Sequence, residues 1–299
     1  LVVGFGDLVA KTQADEASTS PRIDLKQVIL DHYERKEVRP PPDLKNLYYR
    51  ASGLAYVCPR QEVLRNVHQV SAHVLKPAEE LANYDVGTGM HHVMQNLILP
   101  DPEVDVLRGA WRCVSCGHVH GELVGRAVYD AAIRRPSSCF DCGGKEFLYK
   151  EYFLQDHVLC TGGHMDGILV LPGYDGMGLF ELKSISQNGA RKVKNCPQME
   201  HVIQANVYMH LANLRWAKIL YWVKGVYALD KNLIEHHLEP DPEVWGRIEA
   251  MLRSIRSGME TGELPDRICA HRTCEMAQSC PVLNQCFGDV DPDNVVGII

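Results

Sequence analysis

The chain lacks any apolar run long enough to span a bilayer, and no secretory signal opens it. A membrane protein and a secreted one are therefore not expected; the reading is a cytoplasmic protein with no membrane partner. The first residue is Leu1 rather than Met, so further residues are expected upstream. A basic balance is missing too: 31 Lys and Arg stand against 38 Asp and Glu, a formal net charge of -7. This speaks against a protein that merely coats DNA, but not against an enzyme whose basic groups line one groove. There is no helicase P-loop, so any unwinding must come from another protein.

What is present is a chain of 299 residues, 45% hydrophobic and 23% charged, enough for one large domain or two modest ones with a real core. Cysteine is plentiful at 11 residues, and it is clustered. That clustering suggests metal ligation in a reducing compartment rather than a disulfide framework.

Taken in order, Gln13 to Pro21 reads as a polar loop, Leu25 to Glu37 as a helix, and Arg39 to Pro42 as a stiff linker. Ser52 is placed to cap a helix beginning near Gly53. Asp85 to Leu99 reads as a helix opened by Gly87-Thr88-Gly89, with Met90, Val93, Met94 and Leu97 as its apolar stripe. His91 and Gln95, four apart, share a face of it. Pro197 to Trp216 is a helix on which Gln204 and Tyr208 project together. Ile219 to Val223 is a short buried strand that Leu233 to Leu238 can join. Glu243 to Met259 is a helix closed by Gly262.

Cys113-Val-Ser-Cys116-Gly and Cys139-Phe-Asp-Cys142-Gly form two Cys-x-x-Cys knuckles. Four thiolates in two such turns make a closed tetrahedral zinc site, and with no fifth group in view the zinc is structural. The tail carries Cys269, Cys274, Cys280 and Cys286. Spacing alone suits either a second zinc or an iron–sulfur cluster.

Gly162 to Lys183 reads as a β-hairpin around the Pro172-Gly173-Tyr174-Asp175-Gly176 turn. Alternation gives Phe180 and Leu182 one face, suited to a core, and Glu181 and Lys183 the other, with Asp166 able to face them from the partner strand. Two carboxylates on rigid strands suit a hard cation such as Mg2+ or Mn2+. An adjacent lysine completes the parts for metal-assisted phosphodiester hydrolysis. Arg191, Lys192 and Lys194 follow directly. They read either as a solvated loop or as a basic strip that holds a phosphate backbone.

These pieces resemble the RecB-like branch of the PD-(D/E)XK nuclease superfamily, in particular its iron–sulfur exonucleases related to CRISPR-associated RecB-like nucleases and phage recombination exonucleases. The residues that carry the resemblance are Gly87-Thr88-Gly89-Met90-His91, Gly163-His164-Met165-Asp166, Phe180-Glu181-Leu182-Lys183 and Gln204-Ala-Asn-Val-Tyr208, in that family's order. Tyr56-Val57-Cys58-Pro59-Arg60 and Cys280-Pro281 to Cys286 look like the two ends of its cluster. The proline before the motif aspartate is absent, and the zinc knuckles interrupt the pattern between histidine and aspartate.

The resemblance implies an α/β, restriction-endonuclease-like core, a mixed central sheet flanked by helices, with an inserted zinc ribbon and a Cys-rich tail. It divides the chain into an N-terminal extension (1–50), a helical part (51–110), the ribbon (111–149), the nuclease core (150–268) and the cluster tail (269–299). It implies that His91, Asp166, Glu181 and the Leu182 carbonyl hold Mg2+ or Mn2+, that Lys183 handles the attacking water, and that Gln204 and Tyr208 contact DNA or order the site. A 4Fe–4S cluster would be held by Cys58, Cys274, Cys280 and Cys286, with Cys269 as a possible substitute for Cys274. The activity implied is a DNA exonuclease acting at ends or on single strands in a bacterial or phage-infected cell. Its expected partners are DNA and recombination or replication proteins. The rival reading is a non-catalytic DNA-binding or adaptor protein on the same scaffold.

Overall fold

A computed structural model describes residues 24–36, 48–67, 78–123, 127–226 and 228–288. The expected polar loop Gln13 to Pro21 and linker Arg39 to Pro42 lie outside these residues. Backbone contacts divide the chain into a smaller unit, residues 1–40 and 75–83, and a larger one, residues 41–74 and 84–299. In the smaller unit, helix α1 (Leu25–Lys36) occupies the expected span, and Asp24 Oδ1 caps it by accepting from the Lys26 N–H at 3.0 Å.

The larger unit opens with β1 (Tyr49–Arg50) and a 3-10 turn, Ala51–Tyr56. Ser52 does not cap a helix there: it lies inside the turn, whose N-cap residue is Arg50. Helix α2 (Pro59–Val67) begins instead at Pro59, whose fixed φ and missing N–H suit a first helical position. Helix α3 (Ala78–Val93) runs straight through the glycines expected to open it. Thr88 Oγ1 donates to the Tyr84 carbonyl at 3.1 Å, so the chain is already helical upstream. At Met94–Ile98 the winding loosens into a π turn, in which the Leu99 N–H bonds the Met94 carbonyl five residues back at 3.0 Å. The surplus residue changes which side chains turn inward. Leu97, expected in the apolar stripe, is 62% exposed, while Gln95 and Asn96 are buried.

The chain continues through β2 (Leu107–Arg108), β3 (Ala110–Cys113), β4 (Val119–His120), α4 (Val128–Ala131) and β5 (Phe147–Lys150). Next come β6 (Tyr152–Asp156), β7 (Thr161–Met165), β8 (Gly167–Leu169) and β9 (Gly178–Ile185). Then follow α5 (Gln187–Val193), α6 (Met199–Ala212), β10 (Trp216–Val223), α7 (Leu229–Asn232), β11 (Leu233–Leu238) and α8 (Pro242–Thr261). The short helices α9 (Glu275–Gln278) and α10 (Leu283–Phe287) complete the described chain. The strand expected over Ile219 to Val223 starts earlier, at Trp216, because α6 ends at Ala212 with Asn213 in the left-handed conformation at φ 53°. Asp241 caps α8 through the Glu243 and Val244 N–H groups, and Gly262 closes it at φ 77°.

A five-stranded mixed sheet, ordered β11-β10-β9-β8-β2, forms the centre. Its one parallel pair, β9 with β10, is joined through α5 and α6, as a parallel pair must be joined by a crossover. Two three-stranded sheets, β1-β7-β6 and β4-β3-β5, complete a mixed α/β architecture flanked by helices. The predicted hairpin is the β8–β9 pair. Its strand β9, however, has no solvent face over this stretch: Glu181 is 0% exposed and Leu182 1%. The central position of β9 explains this. Leu179, on the Glu181 face, joins the main core with Val207 and Tyr208 of α6, while Phe180 and Leu182 pack with Met94 and Trp216 on the other side. Among the described residues, no helix is long and apolar enough to cross a membrane.

Candidate active site

Asp166 occupies the single residue between β7 and β8, where the chain passes from one sheet to another. Its Oδ2 accepts from the Leu182 N–H at 2.7 Å, which ties it to β9. His91, from the last turn of α3, places Nδ1 3.4 Å from Asp166 Oδ1 and 3.9 Å from Glu151 Oε1, and its ring also meets the Leu182 carbonyl. One donor atom each from His91, Glu151 and Asp166 lies within 4.8 Å of the others, a spacing open to one shared cation.

Glu151 has no counterpart in the sequence reading. It follows β5 directly, and nothing in Lys150-Glu151-Tyr152 marks it. Its place is set by Gln95, whose Nε2 donates to Glu151 Oε1 and to the Asp166 carbonyl, each at 2.8 Å. The π turn is what points Gln95 inward.

On β9, Glu181 and Lys183 stand side by side, Nζ 2.6 Å from Oε1. Lys183 also donates to Gln204 Oε1 of α6 at 2.8 Å, and Gln204 hydrogen-bonds Tyr208 one turn on. Tyr208 reaches this position because Gly163 has no side chain: a Cβ there would meet its hydroxyl at 2.6 Å. His91, Asp166, Glu181, Leu182, Lys183, Gln204 and Tyr208 are thus joined by contacts. Arg191 and Lys192 on α5, and Lys194 beyond it, are exposed, and no ion pair among the described residues links them to this cluster.

Burial dominates the electrostatics. It pushes the Asp166 carboxyl up to about 7 against the pull of Lys183, and the Glu181 carboxyl up to about 7 with Asp166 adding to the rise. Burial also lowers His91, which keeps its imidazole neutral and able to ligate. Desolvation alone would lower Lys183, but Glu181 and Asp166 outweigh it and hold the ammonium above its ordinary range. Beyond the approach of Lys183, neither Glu181 oxygen has a hydrogen-bond partner, although both are buried. A buried anion in that condition calls for a cation.

The knuckles bring Cys113, Cys116, Cys139 and Cys142 together, with Sγ separations of 3.6 Å for Cys113–Cys142 and for Cys116–Cys139. A tetrahedron with Zn–S arms of about 2.3 Å has edges of roughly 3.8 Å, so the set fits a single zinc. Gly117 and Gly143, at φ 79° and 72°, make the sharp turn after each knuckle. The sequence reading finds no fifth group near this site, yet His120 Nε2 lies 3.3 Å from Cys139 Sγ. The Cys113 thiol is drawn down to about 7, chiefly by the Cys116 backbone N–H.

The tail folds back onto α2. Cys58, Cys269, Cys280 and Cys286 line a small, mostly apolar cavity with Gln61, Val282 and Phe287. Cys274, the expected second ligand, is not in that lining, whereas the substitute Cys269 is. Burial, then the neighbouring Cys274, raises the Cys269 thiol to about 11. Among the described residues, no three of the tail thiols draw within 4.8 Å of one another as the knuckle thiols do.

No protein-family model and no curated protein matches the chain. Among solved structures, the chain is similar to an alkaline exonuclease from Laribacter hongkongensis at 11% identity and a TM-score of 0.43, covering 72% of this chain and 89% of that one. The same exonuclease in complex with dAMP aligns at 12% identity and a TM-score of 0.40, over 73% and 91% of the two chains. A phage-related exonuclease from Haemophilus somnus 129PT aligns at 10% identity and 0.39, over 72% and 94%. Likenesses this distant decide neither family nor activity, so the functional reading rests on the geometry above.

Proposed function

We propose that this chain is a Mg2+- or Mn2+-dependent deoxyribonuclease of PD-(D/E)XK type on a restriction-endonuclease-like core, digesting DNA from ends or on single strands. The observation that carries the reading is the convergence of His91, Glu151 and Asp166 beside a buried Glu181–Lys183 pair. An Asp and a Glu-x-Lys meeting a histidine from a distant helix has no evident structural purpose, since two carboxylates buried this deeply cost stability unless a cation meets them.

His91, Glu151, Asp166 and Glu181, with the Leu182 carbonyl, would hold the metal, whose chemistry is to polarise the phosphate and acidify a bound water. Lys183 is the residue placed to orient that water and to stabilise charge building on phosphorus. Gln204 holds the Lys183 ammonium in position, and Tyr208 holds Gln204. Arg191, Lys192 and Lys194 are read as contacts to the DNA backbone.

Cys113, Cys116, Cys139 and Cys142 would hold a structural zinc. The tail is read as a 4Fe–4S site. Such a cluster spreads its thiolates over four irons, so they need not crowd as around one zinc. On the cavity's lining its ligands are Cys58, Cys269, Cys280 and Cys286, with Cys269 preferred to Cys274.

The test is digestion of 5′- and 3′-labelled single and double strands and a closed circle with Mn2+. Asp166→Ala and Glu181→Ala should lose cleavage with unchanged circular dichroism. Digestion at the wild-type rate by either variant overturns the assignment.

A further inference from the structure

The outer face of the β1-β7-β6 sheet carries side chains that neither the core nor the metal cluster uses. The antiparallel register of β6 and β7 sets Phe153 opposite His164 and Gln155 opposite Gly162. Continued one step past the ladder, that register sets Glu151 opposite Asp166, and Gln95 bridges these two. Side chains two apart on a strand share a face. Phe153 and His164 therefore stand on the face of the two carboxylates, one step of roughly 6.7 Å along the strands. In the parallel pairing of β1 with β7, Arg50 lies opposite Gly162, which brings Arg50 and Tyr48 to the same face.

The rings form a line. The Phe153 and His164 centroids are 5.1 Å apart, and those of Phe153 and Tyr48 6.1 Å. Phe153 is 48% exposed, whereas Tyr152, Leu154 and Met165 on the opposite face are buried. The sheet thus has a core side and fills it, yet it keeps an apolar ring in water beside a cluster of carboxylates. Tyr48 is held in place by its hydroxyl, which donates to the Asp156 carbonyl at 3.4 Å. Arg50 is exposed at the end of the line.

We propose that this face is the track along which single-stranded DNA approaches the metal site. The base beside the scissile phosphate stacks on Phe153 and His164, the next meets Tyr48, and Arg50 pairs with a backbone phosphate. Flat rings spaced along an extended surface and leading to a phosphate-cleaving centre match a strand whose bases are free. A duplex keeps its bases stacked on one another and offers no face to these rings. The proposal rests on the nuclease reading and names the substrate form of that same site.

The experiment measures fluorescence anisotropy with a labelled oligothymidine and with an abasic strand of equal length, without Mg2+ or Mn2+. Phe153→Ala should weaken oligothymidine binding about tenfold, the scale of one lost base stack, and leave the abasic strand unaffected. His164→Ala should act in the same direction, and Phe153→Trp should bind as wild type does. Unchanged oligothymidine binding in Phe153→Ala, an equal loss on both strands, or wild-type preference for a duplex of equal length overturns the track. Cleavage with Mn2+ by wild type and Asp166→Ala gives the separate readout. If Asp166-dependent cleavage persists without base-dependent binding, only the track falls. If base-dependent binding appears with no cleavage, the track stands as a binding surface and the hydrolytic reading falls.

Discussion

Burial of Asp166 makes a prediction about stability without metal. Its carboxyl has an ordinary value of 3.8 and is raised to about 7 in the fold. Below pH 4 both folded and unfolded chains hold the proton, and nothing is lost. As pH climbs toward 7 the unfolded chain releases it while the folded chain keeps it, so stability falls across that window and levels off above it. The full shift corresponds to about 4 kcal/mol at 1.36 kcal/mol per pH unit, an upper bound because Glu181 shares the same field. Asn at this position keeps an oxygen for the Leu182 N–H but carries no charge. Asp166→Asn in metal-free buffer should therefore match wild type at pH 5 and exceed it at pH 8 by about 2–4 kcal/mol. In a chain of this size that is a melting temperature higher by roughly 5 °C. Differential scanning calorimetry of the two proteins at both pH values, with and without Mn2+, measures it. Mn2+ should raise the wild-type melting temperature more at pH 8 than at pH 5 and leave Asp166→Asn almost unmoved. Parallel pH profiles for the two proteins would refute the reasoning, because Asp166 would then not be a buried, cation-seeking carboxylate.

Other outcomes follow from the same coordinates. Cys139→Ser should bind less than one zinc per chain in a colorimetric release assay, while wild type holds one at the ribbon. Anaerobically purified protein should be brown; Cys269→Ala should lose the visible absorbance and Cys274→Ala should keep it, and the reverse pattern would restore Cys274 as the ligand. Gly178→Ala should cost about 1–3 kcal/mol in urea denaturation, because a Cβ there would come within 2.1 Å of the Trp216 ring.

The sequence made the elements legible wherever local chemistry decides them: the knuckle glycines, the Asp241 cap, the turn before β9. The Asp166, Glu181 and Lys183 positions could be read because strand alternation and motif order are local properties. Glu151 could not, since it gains its position only from the pairing of β6 with β7, over a turn the motifs do not mark. The exposure of β9 was misjudged for a related reason. Alternation tells which residues share a face, but whether a second layer covers that face depends on α6, a distant segment. Cys269 and Cys274 were inseparable by spacing; only the fold of the tail against α2 sets one sulfur in the cavity lining and leaves the other out.

Winding has an arithmetic of its own. The turn at Met94–Ile98 carries one residue beyond what regular pitch would use, and each residue of an α-helix is worth about 100° of rotation. Deleting a single residue there would let the coil settle to standard pitch and swing Gln95 away from both of its oxygen acceptors, even though every other side chain of the cluster survived. Point changes along this segment should be absorbed one by one, but a change in its length would disconnect the hydrolytic centre.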